Sequence, residues 1–429
     1  MQLENSKVLV IGAGISGVYA SKLLIKKNAL VILHDDKEKK NLNYFLNSDL
    51  ADNPNIQTYF NRNFIWDNSI KLVILSPGIS YEHPLVVKAK KNNCQILSEI
   101  DLAAQFLHEQ DIVIGITGTN GKSSTTSMIA HIFKKAGFNV FAGGNLGEPL
   151  SKHVIENTKK SSIIVLELSS FQLQQTHLLK IDAAAFLNLS CNHLDRHKSI
   201  ENYFLAKACI VKMLKNNKKL FANYNLKTYF EQMNIETKNI IWFDKIDESY
   251  GKKAKLLGKH NWENAFVASL IAHNFGILDD VIHEALKSFK PLAHRIEMLG
   301  KKRGLVFIND SKSTTVQATI TALKMGYERV HLLLGGIDKN ENFNVLANSY
   351  FPSIVGYYIF GKSKEKIAHD LKNNESVYLF DDLANALKYA INNSQKNDVI
   401  LFSPACASYD QYNNFEHRGE CFKKLVNDL

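Results

Sequence analysis

The stretch Gly115-Ile-Thr-Gly-Thr-Asn-Gly-Lys-Ser-Ser-Thr-Thr126 carries the residue types that hold a chain of phosphates. It follows the apolar run Ile112-Val-Ile114 and leads into a helical pattern with Met128, Ile129, Ile132 and Phe133 on one side. A glycine-rich turn in that position points backbone N–H groups inward, at the positive end of a helix dipole. Gly118, Thr119, Asn120, Gly121, Lys122, Ser123 and Ser124 are the expected phosphate contacts. Lys122 would reach the outer phosphates, and the Ser123 hydroxyl would ligate their magnesium ion. The glycines recur at 115, 118 and 121, and Ile116 stands where the strict loop pattern has glycine. The alternative is a plain glycine turn with an exposed lysine.

A second constellation lies near the start. Lys7 to Ile11 reads as a buried strand, then comes Gly12-Ala-Gly-Ile-Ser-Gly17, then a helix to about Lys26. A further strand, Leu30 to Leu33, ends at His34-Asp35-Asp36. An acid about twenty residues after such glycines is what ribose recognition asks for. The pattern predicts a Rossmann-like nucleotide diphosphate site without naming the nucleotide. A dehydrogenase is the first guess it invites, and a close strand–helix crossing without ligand is the plain one. The next strand, Leu72 to Leu75, ends in Ser76-Pro-Gly-Ile79, a sharp turn on the ligand-binding edge of an open α/β sheet.

More polar residues sit where strands end. Asn139 to Ala142 leads to Gly143-Gly-Asn-Leu-Gly147, a turn that could also touch a substrate through Asn145. Ile163 to Leu166 ends in Glu167, an acid beside the phosphate loop where magnesium is held in such sites. Ala183 to Leu189 ends in a run containing Cys191, His193, Asp195 and His197. Zinc is disfavoured there, because a structural zinc site wants four closed ligands and no second pair follows. His193 beside magnesium or an anionic substrate is the better reading. A helix over Ile200 to Leu214 carries Lys207, by itself an ordinary helix lysine. Asn261 and Asn264 stand three apart on one helical face, able to meet a purine edge or to cap. After Pro291 and His294-Arg295, the strand Leu305 to Asn309 ends in Asp310-Ser-Lys-Ser-Thr-Thr315. Leu332 to Leu334 ends in Gly335-Gly-Ile-Asp-Lys339, Val355 to Phe360 in Gly361-Lys, and Asp398 to Phe402 in Ser403-Pro-Ala-Cys-Ala-Ser408. Lys312, Lys339 and Ser408 would converge on an anion.

Strand–helix alternation of this kind predicts an α/β chain of mostly parallel sheets. The 429 residues suggest two to four domains, and 45% hydrophobic with 22% charged residues is an ordinary globular balance. No apolar run is long enough to span a bilayer, and the first residues lack a secretory plan, so a cytoplasmic location without membrane insertion is expected. The five scattered cysteines read as reduced thiols. The net charge of +10 is spread along the chain without a basic, aromatic-interleaved run, so no nucleic-acid partner is expected.

These pieces together resemble the Mur ligases of peptidoglycan synthesis over nearly the whole chain. The most specific are Gly118 to Ser123, Glu167-Leu-Ser-Ser-Phe-Gln-Leu173, His193-Leu-Asp-Arg196, His294-Arg295, Asp310-Ser-Lys312, Gly335 to Lys339 and Ser403 to Ser408. The last, running on to Phe415-Glu-His-Arg-Gly419, points within the family to the members that add D-glutamate. Ser313 and Thr315 depart from the Ala and Asn of many members. The resemblance implies three domains: a Rossmann-like domain over 1–107 for the uridine diphosphate substrate, a central phosphate-loop ATPase over 108–291, and a C-terminal Rossmann-like domain over 292–429 for the amino acid. It turns the dehydrogenase guess away from NAD. It implies substrate contacts at Gly14, Ile15, Ser16, Asp35, Asp36, Ser76, Gly78, Asn145 and His193. It implies ATP contacts at the phosphate loop, Asn264, Arg295 and Asp310. It implies two magnesium sites held by Ser123, Glu167, His193 and a carbamylated Lys207, and D-glutamate contacts at Lys312, Thr314, Lys339, Ser408 and Phe415. Lys122, His193, Lys207 and Lys312 would carry catalysis, in a monomer that joins D-glutamate to UDP-N-acetylmuramoyl-L-alanine. A sibling ligase, a folylpolyglutamate synthetase-like ligase and an inactive nucleotide-binding module are the alternatives.

Overall fold

The structure, a computed structural model, describes residues 3–62, 64–157, 160–253, 258–347, 350–372, 374 and 376–429, without the side chains of Leu194 and Asp195. Those residues form three α/β domains, each built on one sheet.

The first sheet contains β1 (Lys7–Ile11), β2 (Leu30–Asp35), β3 (Ile56–Phe60), β4 (Leu72–Leu75) and β5 (Gln95–Ser98), all parallel, in the order β3-β2-β1-β4-β5. The second contains β6 (Ile112–Thr117), β7 (Val140–Gly144), β8 (Ile163–Glu167), β9 (Ile181–Phe186), β10 (Leu214–Asn223) and β11 (Ile240–Phe243). It too is parallel, ordered β11-β10-β9-β6-β8-β7. The third contains β12 (Glu297–Lys302), β13 (Leu305–Asn309), β14 (Val330–Gly335), β15 (Ile354–Phe360), β16 (Val377–Leu379) and β17 (Val399–Phe402), ordered β12-β13-β17-β14-β15-β16. Only the edge pair β12–β13 is antiparallel.

The central strands are covered on both faces, which is why they read as unbroken apolar runs. Val8 to Val10 are 0% exposed, as are Ile164 to Leu166 and Leu332 to Leu334. Helix starts follow local chemistry. Ser98 accepts from the Asp101 N–H, Ser199 from Asn202 and Asn414 from His417, each satisfying a donor that the helix itself cannot. Ser169 and Gln172 form a reciprocal capping box directly after β8.

Two compact units result: one carries the first two sheets and includes His260–Phe289, and the other comprises Lys290–Leu429 with the short segment ending at Lys259. Within the first unit, short helix Glu99–Ala104 joins the two sheets. Glu99 accepts from the Ser151 N–H (2.6 Å), and Asp101 accepts from the N–H groups of His177, Leu178 and Leu179.

Several elements differ from the sequence reading. Gly115, Ile116 and Thr117 belong to β6, so the loop proper begins at Gly118. A Cβ at Gly115 would press on Leu168, Ile181 and Ile210, so that glycine serves sheet packing. The expected helix Ile200 to Leu214 breaks at Cys209 into Ile200–Ala208 and Ile210–Met213, and Leu214 already starts β10. The strands β3, β10, β11, β12 and β16 were not anticipated. β10 carries Lys-Asn-Asn-Lys-Lys in its first half, where the register against β9 shifts between Leu214 and Lys219; regular pairing with β9 and β11 covers the apolar second half, from Lys219 to Asn223.

Candidate active site

Chemistry gathers at the carboxyl ends of the central strands, beside the points where strand order reverses. In the first domain a cavity of about 470 Å³ opens between the ends of β1, β2 and β4. Gly14, Ile15, Ser16, Asp35, Asp36, Ser76 and Gly78 all line it. Gly17 packs on the Gly12 carbonyl so closely that any Cβ would overlap it, and Gly12 itself has φ +98°. The helix Ile15–Lys26 thus starts hard against the sheet, its N-terminus at the cavity. Asp35 accepts from the Ala13 N–H (2.7 Å) and the Lys37 N–H (2.9 Å), and so fixes the glycine turn from β2. Ser76 donates to the Gly12 carbonyl (2.9 Å) from β4.

His34, Lys37 and His83 also line this cavity, and the sequence did not single them out. His83 Nδ1 accepts from the Leu85 N–H as a helix cap, so its proton sits on Nε2, facing Asp36 at 3.2 Å. His34, Asp36 and His83 offer ligand atoms within 4.8 Å of one another, the one such group among the described residues. His83 is thus tied to Asp36 and to the helix start, while the buried His34 Nδ1 has no hydrogen-bond partner among the described residues. The zinc reading of Cys191, His193 and His197 finds no such group, and the Asp195 side chain lies outside the described residues. His197 is buried, bonded to Ser170 Oγ (2.9 Å) and stacked on Phe171.

The phosphate loop of the second domain runs from β6 into helix Lys122–Lys135. Gly118 (φ +149°) and Gly121 (φ +82°) both need backbone angles that favour glycine, and a Cβ at Gly121 would overlap Asn264 Oδ1. Asn188, beyond β9, clips the loop by accepting from the Asn120 N–H (2.9 Å) and donating to its carbonyl (3.2 Å). Thr119 hydrogen-bonds Ser190 in the same strand-end segment. The Lys122 ammonium lies on the loop, donating to the carbonyls of Gly118 (2.9 Å) and Thr119 (2.8 Å).

Ser123 donates to Glu167 Oε2 (2.5 Å), and Asn145 donates to Glu167 Oε1 (2.7 Å). The end of β8 therefore ties the loop helix to the turn after β7. A hydroxyl and a carboxylate side by side are the hard oxygen donors that magnesium takes. Lys207 reaches the same place from helix Ile200–Ala208: Nζ donates to the Gly118 carbonyl (2.8 Å) and lies over the Tyr203 ring. It is 1% exposed. Burial, and then the Lys122 charge, push its pKa well below the usual lysine value, with Glu167 opposing. His193 is exposed, adopts φ +53° and packs its ring edge-on to Phe171 and Tyr203. Tyr203 is thus the common neighbour of His193 and Lys207. Asn264, expected at a purine edge, is buried, accepts from Thr125 Oγ1 (3.2 Å) and faces Asn261 one turn earlier.

The second unit gathers the remaining candidates. Asp310 was expected to touch a nucleotide. Here its carboxylate accepts from Ser313 Oγ (2.5 Å), Ser403 Oγ (2.8 Å) and the Ile296 N–H (3.1 Å), which locks the turn after β13. Complete burial raises its pKa to about 6 against those hydrogen bonds. Ile296 follows Arg295, so Asp310 also fixes the backbone that carries Arg295. The Lys312 N–H donates to the His294 carbonyl (3.1 Å), and Lys339 Nζ lies 3.4 Å from Thr314 Oγ1. Ser408 is buried on the segment after β17, and Phe415 opens helix Phe415–Asn427. Gly419 sits against the His294 ring where any Cβ would overlap it, which explains the glycine in Phe415-Glu-His-Arg-Gly419.

Three family models match: "Mur ligase MurD-like, N-terminal domain" at residues 6–98, "Mur ligase middle domain" at 116–248 and "Mur ligase, glutamate ligase domain" at 294–406. The chain is 35% identical, over 455 aligned residues, to a protein of Elusimicrobium minutum named UDP-N-acetylmuramoylalanine--D-glutamate ligase, covering 100% of this chain and 99% of that relative. A protein of the same name from Caldanaerobacter subterraneus subsp. tengcongensis is 34% identical, with 100% of both chains covered. In fold, the MurF ligase of Thermotoga maritima solved in complex with ADP is similar, with a TM-score of 0.62 at 17% identity over 100% of this chain and 96% of that one. With three domain models matching in order and full-length relatives above 30% identity, the chain belongs to the Mur ligase family.

Proposed function

We propose that this chain joins D-glutamate to UDP-N-acetylmuramoyl-L-alanine at the expense of ATP, in the cytoplasm, as a step of peptidoglycan synthesis. The observation that carries the reading is the joint at the phosphate loop: Ser123 on Glu167, and a buried Lys207 on the Gly118 carbonyl. It stands in a chain whose full-length relatives bear that enzyme's name.

A carboxylate and an amine do not condense usefully in water, so the carboxylate needs a leaving group. ATP would supply it by phosphorylating the L-alanyl carboxylate to an acyl phosphate, which the D-glutamate amine then attacks. The chain's own task is to place groups and to offset charge. Gly118 to Ser124 would cradle the phosphates by backbone N–H groups, and Lys122 would turn from its loop carbonyls onto the outer phosphates. Ser123 and Glu167 would hold one magnesium ion, which offsets phosphate charge.

A second ion calls for another anionic oxygen ligand, and Lys207 has the state to become one. A lysine whose pKa burial pushes well below the usual value offers more of its neutral amine, which can add to carbon dioxide; its nitrogen loses a proton and gains a carboxylate. That carbamate, with His193, would serve the second site. The first-domain cavity, with Asp35, Asp36 and Ser76 around it, would take the uridine diphosphate, and Asn145 with His193 the muramoyl end. Asn264, Arg295 and Asp310 would serve the nucleotide, the last through the backbone it fixes. Lys312, Thr314, Lys339, Ser408 and Phe415 would take D-glutamate. Domains over 1–107, 108–291 and 292–429 would divide these tasks, in a monomer.

The test is an amino-acid panel. ADP release is measured with ATP, magnesium and UDP-N-acetylmuramoyl-L-alanine, adding D-glutamate, L-glutamate, L-lysine or diaminopimelate in turn. Release that depends on D-glutamate alone is expected. Equal release with another amino acid would assign a sibling activity, and none with any of them an inactive module.

A further inference from the structure

One buried cation of the second unit has no part in the reading above. Arg418 lies on helix Phe415–Asn427, is 0% exposed and keeps its whole guanidinium inside the domain. Its hydrogen bonds among the described residues go to neutral oxygens. Nε donates to Ser311 Oγ (3.1 Å), Nη2 to the Ser311 carbonyl (2.7 Å), and Nη1 to the carbonyls of Cys406 (3.0 Å) and Gly335 (3.3 Å). These acceptors lie on three segments at the carboxyl ends of β13, β17 and β14. Ser311 in turn donates to the Phe415 carbonyl (2.8 Å), which closes the set onto the helix that carries Arg418.

Stability alone is a poor reason for this arrangement. A charge removed from water is costly even when paired, and an apolar side chain of similar volume often serves a core as well. What the guanidinium supplies is a planar fork of five donors at fixed angles, able to hold three separate carbonyl segments at set distances. Each segment carries a residue assigned above to the amino-acid substrate. Lys312 follows Ser311 directly, Ser408 lies two residues after Cys406, and Lys339 four residues after Gly335. Phe415 sits at the start of the same helix.

We propose that Arg418 is the positioning residue of the amino-acid site, setting the spacing of the three strand-end segments that hold D-glutamate. The proposal rests on the assignment of that site to Lys312, Thr314, Lys339, Ser408 and Phe415. Arg418 touches no substrate; it acts through the backbone of its neighbours.

The experiment is steady-state kinetics of the full chain for Arg418→Lys and Ser311→Ala, with KM measured separately for D-glutamate, ATP and the uridine nucleotide, and thermal unfolding measured alongside. Arg418→Lys keeps the charge and loses the fork. The KM for D-glutamate is expected to rise about tenfold or more, while the other two KM values stay within about twofold. Ser311→Ala, which removes one arm of the fork and little volume, should shift the same constant in the same direction by less. Unchanged KM values in both variants, or a parallel loss in all three constants that tracks unfolding, would overturn the proposal. If Arg418→Lys does not fold, Ser311→Ala decides between these outcomes. Lys339→Ala is run beside them: if it leaves the D-glutamate KM unchanged, the site assignment itself has failed, and the Arg418 role falls with it.

Discussion

Lys207 shows how much of a residue's chemistry comes from its surroundings. On a helix surface it would be a solvated cation. Buried against Gly118 and near the Lys122 charge, it is driven toward the neutral amine, the only form that adds to carbon dioxide. Lys207→Ala is expected to abolish activity, and short carboxylates such as acetate should restore part of it by standing in for the carbamate. A flat response to acetate and formate would count against that role. At the same scale, Gly121→Ala places a Cβ onto Asn264 and forces a left-handed backbone on alanine. A loss of about 1–3 kcal/mol in unfolding free energy and a raised KM for ATP are expected, read by urea titration and initial rates. The loop, the Gly12 to Gly17 turn and the acid at Glu167 were legible in the sequence because glycine and acid types at strand ends have few other uses. The states of Lys207, Asp310 and Asn264 were not. Each is decided by neighbours 89 to 139 residues away or by burial, which no local pattern encodes.

Among elements, the short helix Glu99–Ala104 joins two sheets through buried carboxylates. Complete burial raises the Glu99 pKa to about 7, against its hydrogen bond from Ser151. An acid whose folded pKa is raised gives stability that is fully present below the unfolded value, near 4.5, and that is lost as pH rises toward about 7. Glu99→Gln should therefore gain on the wild type by on the order of 3 kcal/mol between pH 4 and pH 8. Tryptophan fluorescence follows this in the relevant unit, because Trp66, Trp242 and Trp262 all lie within it. A difference that does not change with pH would refute the assignment. The buried strands were readable as apolar runs. β10 and β12 were not: Lys-Asn-Asn-Lys-Lys spans a register shift of β10 against β9, and Gly-Lys-Lys becomes strand only through its pairing with β13.

At the scale of the molecule, one plan recurs three times: a largely parallel sheet with its polar chemistry at the strands' carboxyl ends. The first domain's ends enclose a cavity, the second's a glycine-rich loop with Ser123 hydrogen-bonded to Glu167, and the third's a set of lysines and hydroxyls on segments tied by Arg418 and Asp310. Strand–helix alternation made the α/β class legible. Sheet order was not, because it depends on which strands pair across long separations. No helix among the described residues is long and apolar enough to cross a membrane.

The central claim is that the alanyl carboxylate is activated by ATP and captured by D-glutamate. The most direct measurement labels that carboxylate of UDP-N-acetylmuramoyl-L-alanine with heavy oxygen and follows the label by mass spectrometry during turnover with ATP, magnesium and D-glutamate. One labelled oxygen should appear in the released phosphate for each nucleotide product that gains a glutamyl residue. Phosphate released without label, or ADP formed at the same rate when D-glutamate is left out, would contradict the account.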